Sequence, residues 1–272
     1  MARHSELNIL ATKEHKKHKR GLCFPCVPLW PSLFLLASCL LCSCRTGMTV
    51  TKTMVAARAS SAVNIDGVLD EEDWSRAVPY GLFFSCDRAD GQVQPEEGGI
   101  FKLLRDENNI YLAGRFKDLD VLATGEADDM PHYKLGDVCE IFLKPQDYSW
   151  YWEILLTPRG KKTGIFWAER KQKPADGTEH RRLDLEYAAN IEGTLNASED
   201  EDGGWSFEVG IPLTELANPG RLNASGDWTI LVARQNYFET EDGRQREFSM
   251  CPRLTRTDFH NAEEYGLLKL AE

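Results

Sequence analysis

The 272-residue sequence has few of the features that mark common classes of enzyme or secreted disulfide protein. It contains no Gly-rich phosphate loop and no Gly-x-Ser-x-Gly motif, so nucleotide binding and a hydrolase-type serine nucleophile have no support. Five of its eight cysteines lie at or before position 44, which leaves Cys86, Cys139 and Cys251. Three cysteines cannot build a disulfide framework, although one pair is possible. A cysteine inside an apolar strand more often serves as a small buried hydrophobe.

The apolar stretch at residues 27–41 is short for a membrane span, with about 15 residues and two prolines where roughly 20 apolar residues are needed. Basic residues precede it, and this order predicts a signal peptide over residues 1–43. The sequence Leu41-Cys42-Ser43-Cys44 resembles the lipobox of bacterial lipoproteins. It predicts lipidation at Cys44, with Cys39 as an alternative, and an exported protein whose lipid anchors it to the cell envelope. Ordinary cleavage, which would give a secreted protein, is a further alternative.

Positive charge is scarce beyond this leader. The chain has 32 Lys and Arg against 43 Asp and Glu, and the first 43 residues hold six of the former and two of the latter. The remainder therefore has 26 basic and 41 acidic side chains and a net charge of −15. Such a chain is a poor partner for nucleic acid and for anionic lipid.

The rest of the chain predicts one folded domain behind a tether. Residues 44–60 are small and polar without periodicity, which is typical of a flexible connection. Residues 61–272 suit a single β domain, since such domains often exceed 200 residues. Near their start, Asp70 can cap a short helix with an acidic first turn, and this helix would point Trp74 and Ala77 inward.

Nine short apolar-rich runs follow, and Gly, Pro, Asp or Asn stand between most of them. They cover residues 100–104, 110–116, 138–143, 151–157, 163–167, 187–195, 205–211, 228–235 and 267–270. Many short strands with one or two short helices predict an all-β fold, an antiparallel β-sandwich of immunoglobulin-like or jelly-roll-like type. The charged segments 171–182 and 199–204 are predicted to be solvated loops.

Alternation of side chains brings two carboxylates to one face of this sandwich. The core-facing residues are Cys139, Ile141 and Leu143 in one run and Trp152, Ile154 and Leu156 in the next. Side chains alternate along a strand, so Glu140 points away from the core, as do Tyr151 and Glu153. If the two strands pair as a hairpin, Glu140 and Glu153 share one non-core face beside Tyr151.

Two carboxylates beside an aromatic ring suit a sugar, because a pyranose stacks its apolar C–H face on a ring and its hydroxyls need fixed hydrogen-bond partners. The pattern alone leaves two alternatives open. Glu140 and Glu153 could merely pair with Arg234 or Arg115 on a wet sheet face. They could also form the carboxyl pair of a glycoside hydrolase, which requires a separation of about 5 to 9 Å.

Four sequence blocks, in order, resemble the family 9 carbohydrate-binding modules, a cellulose- or xylan-binding-like group with a DOMON-like β-sandwich. The blocks are IDGVLDE at 65–71 with Trp74, DVCEIFL at 137–143, WSFEVGIP at 205–212, and FH at 259–260 before YGLLKL at 265–270. Residues 228–234 resemble the family's penultimate strand, and the resemblance extends from Val63 to the C-terminus. It implies non-catalytic binding of a poly- or oligosaccharide between two aromatic rings, with acidic, amide and Arg partners.

Carried over position by position, the resemblance implies a site that departs from the family pattern. Tyr133 and Phe259 stand where the two stacking tryptophans are expected, and Glu140 keeps the carboxylate of the Asp-x-x-Glu pattern. Glu153 stands where the family has an Arg that holds the ligand. Trp150 follows a loop and is either a further ligand contact or a lid over the sandwich end, whereas Trp74, Trp205 and Trp228 are predicted core residues. The complete predicted ligand set is Tyr133, Glu140, Trp150, Glu153, Arg234, Phe259 and His260.

The sequence identifies no definite cofactor, and two carboxylate-rich segments, 118–120 and 126–129, could bind calcium. A haem-binding electron-transfer sandwich is the alternative function, with ligands drawn from His132, His180, His260, Met130 and Met250. If the chain binds carbohydrate, a role in carbohydrate catabolism is expected, with a glycoside hydrolase or an uptake system as a further partner.

Overall fold

A computed structural model describes residues 52–172, 183–216 and 227–272, and within these ranges the chain forms twelve β-strands and four short helices. The strands are β1 Thr53–Arg58, β2 Tyr80–Gly81, β3 Gly99–Arg105, β4 Asn109–Phe116, β5 Val138–Pro145, β6 Tyr151–Leu156, β7 Lys162–Trp167, β8 Glu186–Glu192, β9 Gly204–Pro212, β10 Trp228–Phe238, β11 Gln245–Cys251 and β12 Gly266–Leu270. The helices are α1 Glu72–Arg76, α2 Leu213–Leu216 and the 3-10 helices His132–Lys134 and Ala262–Glu264. None of these helices is long and apolar enough to span a bilayer, a finding limited to the residues described.

The strands form one continuous path in the order β7-β6-β5-β10-β12-β1-β3-β4-β9-β8, with β11 beside β10 and β2 beside β3. β1 is parallel to both of its neighbours: residues 53–56 pair with β12, and Ala57 and Arg58 pair with β3. One strand therefore passes between two halves of the sheet. We call these the β5 half (β7, β6, β5, β10, β11 and β12) and the β9 half (β2, β3, β4, β9 and β8).

The two halves share a hydrophobic core between them. Ile141 of β5 and Trp152 of β6 pack in the same cluster as Phe207 and Val209 of β9. Burial of apolar surface stabilises such a core by roughly 25 cal/mol per Å². Cys139 and Cys251 belong to the same cluster and Cys86 is exposed, and these three described cysteines are free thiols.

The outer faces of the two halves are covered differently. On the β9 half, Trp74 and Ala77 from the α1 region pack on Tyr111 and its neighbours. On the β5 half, Phe259 and Tyr265, from the segment between β11 and β12, pack on Phe142 and its neighbours. The second cover leaves part of its face open, and the cleft described below lies there.

All nine predicted strands are present, and the prediction of an all-β fold is confirmed. The prediction of nine antiparallel strands is wrong in its details, since β1, β2 and β11 were not expected and β1 is parallel. β1 occupies residues that were assigned to the tether. It forms a strand because Met54 and Ala56 alternate into the core and because its backbone pairs with β12 and β3. Both partner strands are distant from it in the sequence.

Two local expectations also need correction. Asp70 does not cap α1, because the helix begins at Glu72 and has no side-chain cap bond at its first turn. The carboxylate of Asp73 instead accepts the backbone N–H groups of Ser60 and Ser61, at 2.9 and 3.2 Å. Segment 199–204 is not wholly solvated, since the buried carboxylate of Asp202 accepts the backbone N–H of Val121 at 2.7 Å.

Candidate functional site

A cleft of about 580 Å³ opens on the outer face of the β5 half. Its floor is formed by side chains from three neighbouring strands: Glu140 of β5, Glu153 of β6 and Gln235 of β10. Its walls are mainly aromatic, and the rings are Tyr133, Trp167, Phe248, Phe259 and His260. A concave site with apolar walls and a few buried polar groups is the usual form of a small-molecule site.

Strand register explains why the floor groups meet. β5 and β6 are antiparallel neighbours, which confirms the predicted hairpin, and Phe142 stands directly opposite Glu153. Residues directly opposite share a face, so Glu140, two positions from Phe142, lies diagonally across from Glu153. On the other side of β5, Ala233 of β10 stands opposite Glu140, and Gln235 follows on the same face.

The two floor carboxyl groups are in contact. Glu140 and Glu153 are only 3% and 5% exposed, and their side chains are hydrogen-bonded to each other. Burial, and then the negative charge of Glu153, raise the pKa of Glu140 well above its usual range. Because a hydrogen bond between two carboxyl groups needs a proton on one of them, the pair shares at least one proton.

Two neutral donors orient this pair. The amide of Gln235 donates from Nε2 to Oε1 of Glu140. The indole of Trp167 donates from Nε1 to Oε2 of Glu153, at 2.6 Å. The floor is therefore a connected network, in which each carboxyl group is held by a donor from a neighbouring strand.

The indole of Trp167 is held rigidly at the edge of the cleft. It stacks on Tyr151, with ring centroids 6.0 Å apart and planes 11° apart, and meets His260 edge to face at 4.7 Å. The hydroxyl of Tyr151 and Nδ1 of His260 share a hydrogen bond of 2.8 Å. Burial lowers the pKa of His260 to about 4, so this ring is neutral at pH 7. Trp167 itself is half-buried and lines the cleft.

The remaining wall rings expose different amounts of surface. Phe259 is mostly buried, packing on Phe142 at 6.2 Å and meeting Phe248 nearly perpendicularly at 5.7 Å. Tyr133 and Phe248 are half-buried and present more ring surface to the cleft. The backbone oxygen of Tyr133 accepts the hydroxyl of Tyr237 at 2.7 Å, which fixes the 3-10 helix against β10.

The cleft brings together five of the seven predicted site residues, namely Tyr133, Glu140, Glu153, Phe259 and His260. Arg234 does not belong to it. Arg234 stands opposite Cys139, on the core side of β10, and is 1% exposed. Its guanidinium donates to Asp118 Oδ2 at 2.8 Å and to the backbone oxygens of Glu97 and Lys117. The adjacent residue, Gln235, takes the place in the floor that Arg234 was expected to fill.

Trp150 also lies outside the cleft. It is 6% exposed and packs in the shared core, with its ring 5.9 Å from that of Tyr148, 5.8 Å from Phe166 and 5.9 Å from Trp228. The turn between β5 and β6 folds this ring back onto the core, so the alternative role as a lid agrees with its position. Trp74, Trp205 and Trp228 are buried, as predicted.

Among the lining residues outside the predicted ligand set, Gln235, Trp167 and Phe248 were missed for different reasons. Gln235 could have been found by alternation along β10, because it shares the parity of Ala233 and lies on the outer face. Trp167 stands opposite Tyr151 in the ladder of β6 and β7. The pairing of these two strands was not predicted, and it would have placed Trp167 on the carboxylate face. Phe248 lies on β11, which the sequence did not predict.

The arrangement of the carboxyl pair differs from both alternatives. Glycoside hydrolysis uses two carboxyl groups about 5 Å apart or more, whereas Glu140 and Glu153 are hydrogen-bonded to each other. They do not pair with the expected cations either, since Arg234 binds Asp118 and Arg115 lies 3.2 Å from Glu192.

Neither the calcium segments nor the histidines form a metal site in the described part of the chain, where no three His, Cys, Asp or Glu converge. Asp118 is paired with Arg234, and Asp128 lies 3.3 Å from the Lys162 ammonium. For haem, the ring of His132 is enclosed in protein and Met250 is fully buried, so neither can reach a ligand in the cleft. Met130 and His260 line the cleft, and Nδ1 of His260 shares a hydrogen bond with the hydroxyl of Tyr151. His180 lies outside the described residues.

An all-β domain with an aromatic-walled cleft over buried hydrogen-bonding groups belongs to the class of small-molecule-binding modules. The carbohydrate family 9 binding domain-like family matches residues 65–272, and the chain is a member of that family.

Solved structures are similar in fold. A candidate carbohydrate-binding protein from Bacteroides uniformis is 13% identical, with a TM-score of 0.61 over 80% of this chain and 99% of its own. A family 9 carbohydrate-binding module from Caldicellulosiruptor kristjanssonii, in complex with glucose, is 13% identical, with a TM-score of 0.51 over 80% of this chain and 95% of its own. At such identity the likeness establishes the fold alone. No curated protein matches the chain.

Proposed function

We propose that this chain is a non-catalytic module that binds a poly- or oligosaccharide in the cleft of the β5 half. The observation that carries the proposal is the rigid, half-buried ring of Trp167 beside the buried carboxyl pair. Membership of a carbohydrate-binding family and the fold shared with a glucose-bound module support it.

The cleft offers what a sugar needs. The C–H face of a pyranose would stack on Trp167 or Tyr133, and its hydroxyls would bond the Glu140 and Glu153 oxygens and the Gln235 amide. Each stacking contact contributes about 0.5 to 1.5 kcal/mol beyond burial, and each hydrogen bond to a charged group about 1.5 to 3 kcal/mol. After the entropy cost of association, such a site would bind with a Kd of about 10 μM to 1 mM.

We also propose that the protein is exported and anchored to the cell envelope by lipid on Cys44, and that binding serves carbohydrate catabolism beside a hydrolase or an uptake system. The basic residues, apolar stretch and lipobox-like cysteine support this location. Mass spectrometry of the N-terminal peptide from cells would test it, since a diacylglyceryl mass on Cys44 is expected. An unmodified N-terminus would contradict the anchor and leave carbohydrate binding intact.

A glycan array tests the binding proposal, with residues 45–272 as the probe so that β1 is retained. We expect binding to a defined group of glycans, and loss of most of that signal in Trp167→Ala and Tyr133→Ala. Tyr148→Ala is the matched control for Tyr133→Ala, because Tyr148 is also a half-buried tyrosine but packs against Trp150, away from the cleft. A blank array, or equal loss in Tyr148→Ala, would contradict the proposed site.

A further inference from the structure

The cleft has a marked excess of acid over base. Among its described lining residues, four are carboxylic, Asp129, Glu140, Glu153 and Asp258, and one is a lysine, Lys171. The Lys171 ammonium lies 3.0 Å from Asp258, at the rim. Arg170 contacts the same Asp258 oxygen at 2.9 Å. The basic groups at this rim are thus directed to Asp258.

At the floor, the buried carboxyl pair holds a proton in a place that faces the cleft. A proton between two carboxyl groups is the smallest cation that relieves their repulsion. A ligand cation delivered to the same oxygens would relieve it equally, and both carboxyl groups could then ionise. The neutral ring of His260, which adjoins Trp167, adds no competing positive charge at neutral pH.

The aromatic walls suit a cation as well as a sugar face. Tyr133, Trp167 and Phe248 surround the acidic floor and expose part of their rings. A cation within about 6 Å of such a ring gains roughly 0.5 to 2 kcal/mol, depending on how far it is desolvated. Rings around buried acids therefore favour a ligand that combines an apolar face with a positive group.

We propose that this cleft selects sugars bearing a protonated amine, the amino-sugar class, over neutral sugars of the same shape. Two N–H groups of the ligand ammonium would donate to Glu140 and Glu153, with its positive charge beside the ring of Trp167. The shared carboxyl proton leaves to water as the ammonium enters, so the charge of the site is balanced before and after binding. The inference rests on the proposed function and names the substrate class of the same site.

Other charged groups surround the pair and set the size of the effect. Those on the neighbouring elements are Arg246 of β11, Lys171 after β7, Asp129 before the 3-10 helix His132–Lys134, and Asp258 and His260 before β12. Arg246 is the main opposing charge. It donates to Gln235 Oε1 at 3.2 Å, lies 4.8 Å from the Phe248 ring centre, and is exposed to screening solvent. Because binding expels a proton, affinity for the amine should rise with pH until the amine itself deprotonates, near pH 8.

Three β-1,4-linked trisaccharides test the inference by calorimetry at pH 7 and low salt, namely those of glucosamine, N-acetylglucosamine and glucose. We expect the glucosamine trimer to bind at least about tenfold tighter than the glucose trimer, with about one proton released when two buffers of different ionisation heat are compared. Glu153→Gln should reduce the preference to less than about threefold, since an amide cannot supply the second negative charge. Glu186→Gln is the matched control, because it removes the same charge from an exposed position on β8.

The outcomes separate this inference from the proposed function. Equal affinities for the three trimers, or a preference that survives in both Glu153→Gln and Glu140→Gln, would overturn the amino-sugar inference and leave carbohydrate binding standing. If no trimer binds and the glycan array is blank, both fall. Circular dichroism of each variant establishes that it is folded, and the use of two separate glutamates keeps the test decisive if one variant is not.

Discussion

Two indole–carboxyl pairs lie on the outer faces of the two halves of the molecule. One pair is closed, meaning that the chain covers it completely, and the other is open, meaning that it lines the cleft. On the β9 half, Trp74 Nε1 donates to Glu208 Oε1 at 2.7 Å. On the β5 half, Trp167 Nε1 donates to Glu153 Oε2 at 2.6 Å. Both glutamates lie on the outer faces of their strands, away from the shared core.

The closed pair is completed by the chain's own backbone. The second oxygen of Glu208 accepts the N–H groups of Asp66 and Gly67, at 3.1 and 2.9 Å, and the side chain is wholly buried beneath the α1 region. Gly67 has a positive φ of 87°, and a Cβ there would lie 2.8 Å from the carbonyl carbon of Ala189, so only glycine fits. Two of the blocks that carry the family resemblance, at 65–71 and 205–212, therefore contact each other in a buried hydrogen-bond network outside the cleft.

In the open pair, Glu153 contacts a second carboxyl group, that of Glu140, and both line the cleft. A carboxylate whose oxygens are taken up by its own fold stabilises structure, whereas one at the floor of an aromatic cleft is placed to meet a ligand. The two pairs differ in how completely other parts of the chain bury them. Trp74 is buried in the α1 region, whereas the segment between β11 and β12 leaves Trp167 half-buried.

The largest loss of stability should come from substitution of Arg234, which was predicted to line the site but lies in the interior. Arg234→Met leaves the buried carboxylate of Asp118 without its cation, and we expect a loss of about 3 to 5 kcal/mol in the free energy of unfolding, measured with urea. Gln235→Ala, on the outer face next to it, should cost less than about 1 kcal/mol and weaken glycan binding. A stable Arg234→Met protein that has lost only glycan binding would restore Arg234 to the site.

Removing each glutamate in turn tests whether the two pairs contribute differently to stability. Glu208→Ala strands three donors in the interior, and we expect it to lower the free energy of unfolding by about 3 kcal/mol. Glu153→Ala should cost about 1 kcal/mol or less, because its partners Trp167 and Glu140 line the cleft, where water can reach them. Equal losses in the free energy of unfolding, measured with urea, would show that the two pairs are buried to the same extent.

The pH dependence of stability gives a smaller effect with a defined sign. Burial raises the pKa of Glu208 to about 7, above its usual 4.5, so the folded state keeps a proton that the unfolded state has lost. Stability should therefore fall as the pH rises from about 4.5 to about 7. Glu208→Gln should flatten this decline, and Glu140→Gln should flatten the similar decline due to the raised pKa of Glu140. Urea titrations at pH 4.5 and pH 8 measure both, and an unchanged slope in Glu208→Gln would refute the assignment.

Local alternation predicted most of the sheet and the carboxyl pair, because both follow from a period of two along single strands. The pairing of β5 with β6 needed only a short turn, and it brought Glu140 and Glu153 together. β1 was missed because its partners, β12 and β3, are distant in sequence. β11 pairs with β10 across a short turn, and it was missed because it opens with three polar residues, Gln245, Arg246 and Glu247. Arg234 was misplaced because the resemblance of a block does not say which face of the strand a residue occupies. The contact between the two carboxyl groups depends on the diagonal register, which sequence spacing alone does not fix.

The most direct test of the account is an NMR titration of the tryptophan indole N–H signals with the glycan selected on the array. We expect the Trp167 signal to shift in step with binding, because its ring and its bond to Glu153 would face the ligand. The Trp74 signal, sealed against Glu208, should stay in place. A titration that moves Trp74 and leaves Trp167 unchanged would contradict the assignment of the open cleft as the carbohydrate site.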